Sequence, residues 1–115
     1  MDYERHTIQL IEDLLESLAD LRKSTRATEA TVRRALKLAE DGADVATALR
    51  AVSPADARQS MNDALRAVEE ARHLMRLHIF EIGIQQGLSI GELGRIFGFS
   101  RQLAARYAKE AREAD

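Results

Sequence analysis

Arg101 and Gln102 are the two side chains of this 115-residue chain whose types and spacing best suit specific recognition chemistry. They follow Ser100 directly, at the start of a predicted helix. An arginine guanidinium pairs bidentately with a guanine edge, and a glutamine amide pairs in the same way with adenine. At roughly 100° per residue, Ala105 falls on the same face, where its methyl group allows contact with a thymine methyl or simply close approach. The pattern predicts a helix face that reads base edges in DNA.

A short helix before this face is predicted from its end signals. Ser89 and Glu92 have the spacing of a capping box, which predicts a helix over residues 90–97. Gly98 supplies the left-handed turn that ends the helix. Gly91 has no function in this pattern, although an interior glycine costs about 1 kcal/mol relative to alanine.

The second helix is predicted to begin at its N-cap, Ser100, and to cover residues 101–113. Gly94 is expected where the two helices cross closely, because a larger side chain would hold them apart. The side chains predicted to point inward are Leu93, Phe97, Phe99, Leu103, Ala104 and Tyr107. Those predicted to point outward are Arg101, Gln102, Ala105, Lys109 and Arg112, with Arg106 on the flank.

The segment SIGELGRIFGFSRQLAARYAK resembles the helix-turn-helix of bacterial DNA-binding proteins, and is especially similar to the form in sigma-factor region-four-like regulators. The resemblance extends over residues 72–113 and implies a three-helix domain, with residues 72–86 as the supporting first helix. The matching positions are Gly87, Ser89, Glu92, Gly94, Gly98, Ser100, Arg101 and Gln102. The side chains expected to contact the DNA backbone are Ser89, Arg95, Ser100, Arg106 and Lys109.

The charge of the chain is unevenly distributed. The net charge is −2, from 17 basic and 19 acidic side chains. Residues 72–109 carry six basic and two acidic side chains, whereas residues 1–71 carry ten and fourteen. A basic segment on an acidic chain is typical of a protein that meets phosphate with one face.

The composition predicts an all-α fold. Alanine and arginine are abundant, and no clusters of β-branched and aromatic residues bounded by turns suggest strands. Apolar residues recur at helical spacing from residue 8, which favours one long helix to about residue 41, ended by Gly42. A break at residues 24–28, where Ser or Thr can cap a second helix, is the alternative. A short helix capped by Asp44 is predicted next, followed by a third that begins at the Ser53–Pro54 pair and continues to about residue 86.

The long amphipathic helices predict a homodimer, because a chain of this length has few other elements to cover them. Core packing within a monomer is the alternative. We expect residues 1–71 to form a helical dimerisation region and residues 72–115 to form the helix-turn-helix domain. The predicted dimer interface comprises Ile8, Ile11, Leu14, Leu15, Leu18, Leu21 and Val32.

The predicted function is sequence-preferring binding of double-stranded DNA by a dimeric transcriptional regulator. Two recognition helices on one face of a duplex would lie about 34 Å apart, over a roughly palindromic site. Two alternatives remain: a helical protein–protein adaptor, and an antitoxin-like protein that sequesters a partner through its N-terminal helices.

The residue pattern argues against other classes. The chain has no cysteine, and its three histidines lack the spacing of metal ligands, so we expect neither a metal nor a cofactor. No nucleophile–base pair is evident, so we do not expect an enzyme. Without a signal-peptide pattern or a membrane-spanning run, the expected location is the cytoplasm, at the nucleoid.

Overall fold

The computed structural model describes residues 2–113, and the regular secondary structure of these residues is entirely α-helical. The all-α prediction is confirmed. The five helices are α1 (Asp2–Glu40), α2 (Val45–Val52), α3 (Pro54–Gln85), α4 (Ile90–Phe97) and α5 (Arg101–Glu113). In the described part of the chain, none of these helices combines the length and apolar character needed to cross a membrane.

Helix α1 is continuous through residues 24–28, so the long-helix prediction is confirmed and the alternative of a break is not. Thr25 Oγ1 donates to the carbonyl oxygen of Leu21, 2.8 Å away. Ser24 is buried, and its Oγ lies 3.1 Å from Oγ of Ser60. These hydroxyls therefore bond within the helix or to another helix, instead of capping a new one.

The ends of α1 and α2 follow the predicted signals. Gly42 has a φ of 89° after the last turn of α1. The N–H of the next residue, Ala43, donates to the carbonyl of Leu38 at 2.9 Å, as at many glycine-terminated helix ends. Asp44 then caps α2, because its carboxylate accepts a 2.8 Å hydrogen bond from the N–H of Thr47.

The junction between α2 and α3 differs from the prediction in its backbone. A side-chain N-cap at Ser53 would have extended dihedral angles. Ser53 instead lies in the left-handed region, with φ 48° and ψ 66°. Its carbonyl oxygen accepts a 3.2 Å bond from the N–H of Asp56 in the first turn of α3. Ser53 is the single residue between the two helices, so the turn from α2 into α3 is made at its backbone.

The chain forms two compact units. The terminal unit comprises the chain up to Leu14 together with the segment from Glu70 onward, and the central unit comprises Leu15–Glu69. The division at residue 70 lies close to the expected domain boundary, between residues 71 and 72. The first turns of α1 belong with the terminal unit, where Thr7 Oγ1 lies 2.6 Å from Nε2 of His78.

In the central unit, α1 and α3 run antiparallel. Ser24 meets Ser60, and further along α1 the side chain of Thr31 shares a cavity with Ala57 and Val52. This cavity has a volume of about 380 Å³ and is mainly apolar. The residues of α1 that pack inward are spaced three or four positions apart, and many of them are small or carry a hydroxyl group. They are Ser17, Leu21, Ser24, Thr28, Thr31, Ala35 and Leu38.

The core of the terminal unit is built around Phe80, which is fully buried, and Leu93, which is 1% exposed. Small side chains of α5 close this core, because Ala104, Ala108 and Ala111 are each 1–2% exposed. The six side chains predicted to point inward are all buried or half-buried. The sequence pattern did not single out Phe80, which lies near the end of α3.

Candidate nucleic-acid interface

Helix α4 begins with the predicted capping box. Ser89 Oγ accepts from the N–H of Glu92 at 3.0 Å, and the N–H of Ser89 donates to Oε1 of Glu92 at 3.2 Å. The helix ends at Gly98, whose φ is 72°. The N–H of Phe99 then donates to the carbonyl of Gly94 at 2.7 Å, which closes the turn. Both ends of α4 form locally, because the donor and the acceptor of each of these hydrogen bonds lie within five residues of each other.

Helix α5 starts two residues after this turn and crosses α4 closely. Ser100 Oγ accepts from the N–H of Leu103 at 3.1 Å, as predicted for its N-cap. A Cβ atom on Gly94 would lie 3.0 Å from the Cβ of Ala104. The predicted close crossing at Gly94 is therefore present.

An aromatic cluster fixes the turn and α5 to α3. The ring of Phe80 stacks at centroid distances of 5.8 Å from Phe97, 6.2 Å from Phe99 and 5.4 Å from Tyr107. The guanidinium of Arg76 lies over the Phe99 ring, 5.1 Å from its centroid, which is the geometry of a cation–π contact. The three phenylalanines of the chain thus position the start of α5.

A polar contact joins α5 to α3 in addition. Nε2 of His73 lies 3.0 Å from Oε1 of Glu110, and its Nδ1 lies 3.4 Å from the hydroxyl oxygen of Tyr107. Sequence reasoning did not find this contact, because residues 37 positions apart give no local signal. It links α3 to α5 beside the aromatic cluster, where the ring centroids of His73 and Tyr107 lie 5.4 Å apart.

The outward face of α5 carries the predicted base-reading residues. Arg101, Gln102 and Ala105 are all exposed, whereas Ala104 and Ala108 are buried. The predicted division of α5 into an inward and an outward face is confirmed. The exposed side chains of α5 include four cations and two carboxylates, which leaves a net charge of +2.

The residues predicted to contact the DNA backbone are all exposed: Ser89, Arg95, Ser100, Arg106 and Lys109. Ser89 and Ser100 use their oxygen atoms as acceptors in the caps, so that their hydroxyl hydrogens are available to another acceptor. A Cβ atom on Gly91 would meet only ordinary contacts, the nearest being Nη1 of Arg95 at 3.6 Å. The packing of the chain itself therefore does not require glycine at position 91.

The predicted dimer-interface residues are distributed over two faces of α1. Leu14 and Leu21 are half-buried. The other five are exposed, by the following fractions: Ile8 57%, Ile11 41%, Leu15 61%, Leu18 41% and Val32 61%. The chain therefore leaves one apolar face of α1 uncovered.

Two further features of the described residues bear on chemistry. No group of three or more His, Asp or Glu side chains in residues 2–113 is arranged to hold a metal ion. In the terminal unit, His78 is 9% exposed, and its ring meets that of His6 edge-on at a centroid distance of 4.6 Å. Burial, together with repulsion from His6, lowers the pKa of His78.

Comparisons of the chain with protein-family models, with curated proteins and with solved structures find no match.

Proposed function

We propose that this chain is a sequence-preferring, double-stranded DNA-binding protein that acts as a dimeric transcriptional regulator. In this proposal α4 and α5 are a helix-turn-helix, and α5 is the recognition helix that enters the major groove. The observation that carries the proposal is the exposure of Arg101, Gln102 and Ala105 together, on the side of α5 opposite its buried alanines.

The position of these residues in α5 suits base reading. Recognition helices place the residues near their N-terminus closest to the base edges. Arg101 and Gln102 are the first two residues of α5, and both have long side chains that end in planar groups. Ala105, one turn later, is too small to hold the helix away from the groove. Direct readout of guanine and adenine follows from the hydrogen-bonding groups of these side chains.

Backbone binding would come from the cations around this face. Arg95 is exposed on α4, and Arg106 and Lys109 are exposed in the second and third turns of α5. Contacts of this kind position a protein on DNA but carry no sequence information. They make the affinity depend on salt concentration, because each neutralised phosphate releases counterions.

The test starts with selection of bound fragments from a random pool of duplex DNA, followed by fluorescence anisotropy on the selected site. Arg101→Ala and Gln102→Ala are each expected to reduce discrimination between selected and random DNA by about 1–3 kcal/mol, roughly 5- to 150-fold. Arg34→Ala, at an exposed arginine of α1, is the control and is expected to retain the discrimination. Absence of DNA binding at low salt, or an unchanged sequence preference in both α5 variants, would contradict the proposal.

A protein partner is the second candidate function, and one observation favours it. Helix α2 exposes 74% of Val45 and 51% of Leu49, and none of its residues is buried. Exposed apolar side chains that recur on one helix face are suited to docking another protein. If the chain is mainly an adaptor or an antitoxin-like sequestering protein, Val45→Ser with Leu49→Ser abolishes capture of the partner and leaves DNA affinity unchanged. If the chain is a regulator of the proposed kind, changes at Arg101 and Gln102 instead reduce its discrimination between DNA sequences.

A further inference from the structure

Helix α1 is strongly polarised in charge along its length. Residues 2–20 carry six acidic and one basic side chain, whereas residues 21–39 carry six basic and one acidic. The first half of the helix thus has a net charge of −5 and the second half a net charge of +5. Two cations of the second half form ion pairs, Arg33 with Glu29 and Lys37 with Asp41, which lies just beyond the helix.

The same helix exposes an apolar stripe at coiled-coil spacing. In the central unit the stripe includes Leu15 and Leu18 near its beginning, and Val32 and Leu36 near its end. Leu36 is 58% exposed, close to the 61% of both Leu15 and Val32. The positions between them in the same three–four rhythm are polar: Arg22, Thr25 and Glu29.

We infer that a second copy of this chain docks on the stripe, with its α1 antiparallel to the first. The inference rests on the dimer of the proposed function and adds the orientation and the register of its two α1 helices. A parallel, in-register pair would set acidic half against acidic half and basic half against basic half. Reversal of one helix sets each acidic half against a basic half, and charges beside a coiled-coil seam select orientation in this way.

One antiparallel register pairs the apolar residues best. It sets Leu15 of each copy opposite Val32 of the second copy, and Ile11 opposite Leu36. Arg22 then lies opposite Thr25 of the second copy near the two-fold axis. Leu18 lies opposite Glu29, and Arg22 comes within one helical turn of that glutamate. A shift by one heptad would instead set Arg22 opposite Val32 or Thr25 opposite Leu15. The chosen register is therefore the one in which the exposed side chains of Ile11, Leu15, Val32 and Leu36 all oppose one another.

A flanking charge pair follows from the same register. Glu12 and Arg33 occupy equivalent positions beside the stripe. Glu12 of each copy therefore lies near Arg33 of the second copy. In a parallel pair these residues would be 21 positions apart, roughly 30 Å along the helix. The pair is therefore a probe of orientation.

Disulfide trapping tests the interface directly, because the chain contains no cysteine. Full-length Leu15→Cys and Val32→Cys proteins are prepared separately, mixed, allowed to exchange and oxidised. The expected product is a mixed covalent dimer, since opposed residues meet the short Cα separation that a disulfide needs. The control mixture is Leu15→Cys with Arg34→Cys, at an exposed position outside the stripe. Covalent dimers formed mainly by Leu15→Cys alone, or equally by the control mixture, would overturn the inference.

Charge reversal gives a second test that does not alter the stripe. Glu12→Arg and Arg33→Glu are each expected to weaken dimerisation roughly three- to tenfold, measured by sedimentation over a range of concentrations. The two changes combined in one chain are expected to restore it, because both flanking pairs are then reversed together. A double variant as weak as either single one, or a wild-type protein that is monomeric at micromolar concentration, would overturn the inference.

The same preparations separate this inference from the proposed function. A monomer that binds the selected DNA would overturn the α1 dimer and leave DNA binding intact. A dimer trapped between positions 15 and 32 that binds no DNA at low salt would support the α1 interface and contradict the proposed function.

Discussion

Gly94 and Ala104 meet so closely that a Cβ atom on the glycine would lie 3.0 Å from the Cβ of the alanine. This contact is where the last turns of α4 cross the first turn of α5. The stacked rings of Phe80, Phe99 and Tyr107 hold the same crossing from the core side. Together these contacts determine the direction in which Arg101 and Gln102 project.

Two glycines of α4 are expected to respond oppositely to alanine. Gly91→Ala is expected to raise the free energy of unfolding by about 0.5–1 kcal/mol, because the added methyl group meets only ordinary contacts and alanine favours the helix. Gly94→Ala gains the same propensity but forces Ala104 away, so we expect it to be less stable than Gly91→Ala by about 1–2 kcal/mol. Urea unfolding measures both. Equal stabilisation by the two substitutions would contradict the close crossing.

The Gly91→Ala protein is informative in the DNA assay as well. Gly91 is exposed beside Arg95, next to the face expected to meet the DNA backbone. If the helix approaches DNA closely there, the variant is more stable than the wild type and binds the selected DNA more weakly. Stabilisation without loss of affinity would show that the glycine has no part in binding.

Ser53→Gly is expected to stabilise the chain by about 1 kcal/mol. Ser53 has a φ of 48°, a left-handed conformation that is unfavourable for residues with a Cβ atom and favourable for glycine. Ser53→Ala is the matched control, because alanine keeps the Cβ atom and should give no such gain. Thermal and urea unfolding of the three proteins provide the measurement. A gain of the same size in the alanine variant would show that the conformation is not the cause.

The buried His78 is expected to make stability fall as the pH is lowered. Burial and repulsion from His6 lower the pKa of His78 in the folded chain. The unfolded chain therefore takes up a proton first, near the ordinary pKa of about 6.5. The contribution of neutral His78 to stability is full above that pH and is lost as the pH falls from there towards the lowered pKa.

Urea unfolding at pH 7.5 and pH 5.5 checks this expectation in the wild type and in His78→Gln. The variant should lose less unfolding free energy between the two pH values. The two other histidines are present in both proteins, so the comparison isolates His78. An equal loss in both proteins would exclude His78 as the source of the pH dependence.

Salt dependence is expected to separate the backbone contacts from the base contacts. Arg106→Ala and Lys109→Ala should each make the slope of log K against log salt shallower by about 1, because each removes one phosphate contact. The sequence preference should remain that of the wild type. Arg34→Ala serves as the control for a general change of charge and should leave the slope unchanged. Loss of sequence preference in Lys109→Ala would place that side chain at a base instead.

The helix ends and the two faces of α5 could be predicted because their causes are local. The capping box of Ser89 and Glu92 and the turn at Gly98 involve partners within a few residues. The contact of His73 with Glu110 could not be predicted in the same way, because it joins side chains 37 positions apart. The stacking of Arg76 on Phe99 could not be predicted either, because the two residues are 23 positions apart. The sequence shows only that both belong to the basic segment of residues 72–109.

The sequence by itself determined the all-α architecture, the capped ends of α4 and the faces of α5, because backbone hydrogen bonds and side-chain periodicity act over a single turn. It favoured a continuous α1, and the structure decided against the break at residues 24–28. Only the tertiary structure decided that Phe80 is fully buried and that Ser53 turns left-handed between two helices. It also decided which side of α1 is covered. Two sides of the helix have the same three–four spacing in the sequence, and the one rich in serine and threonine faces α3, where Ser24 lies 3.1 Å from Ser60. The spacing alone could not decide this, because it does not say which side a distant helix will meet.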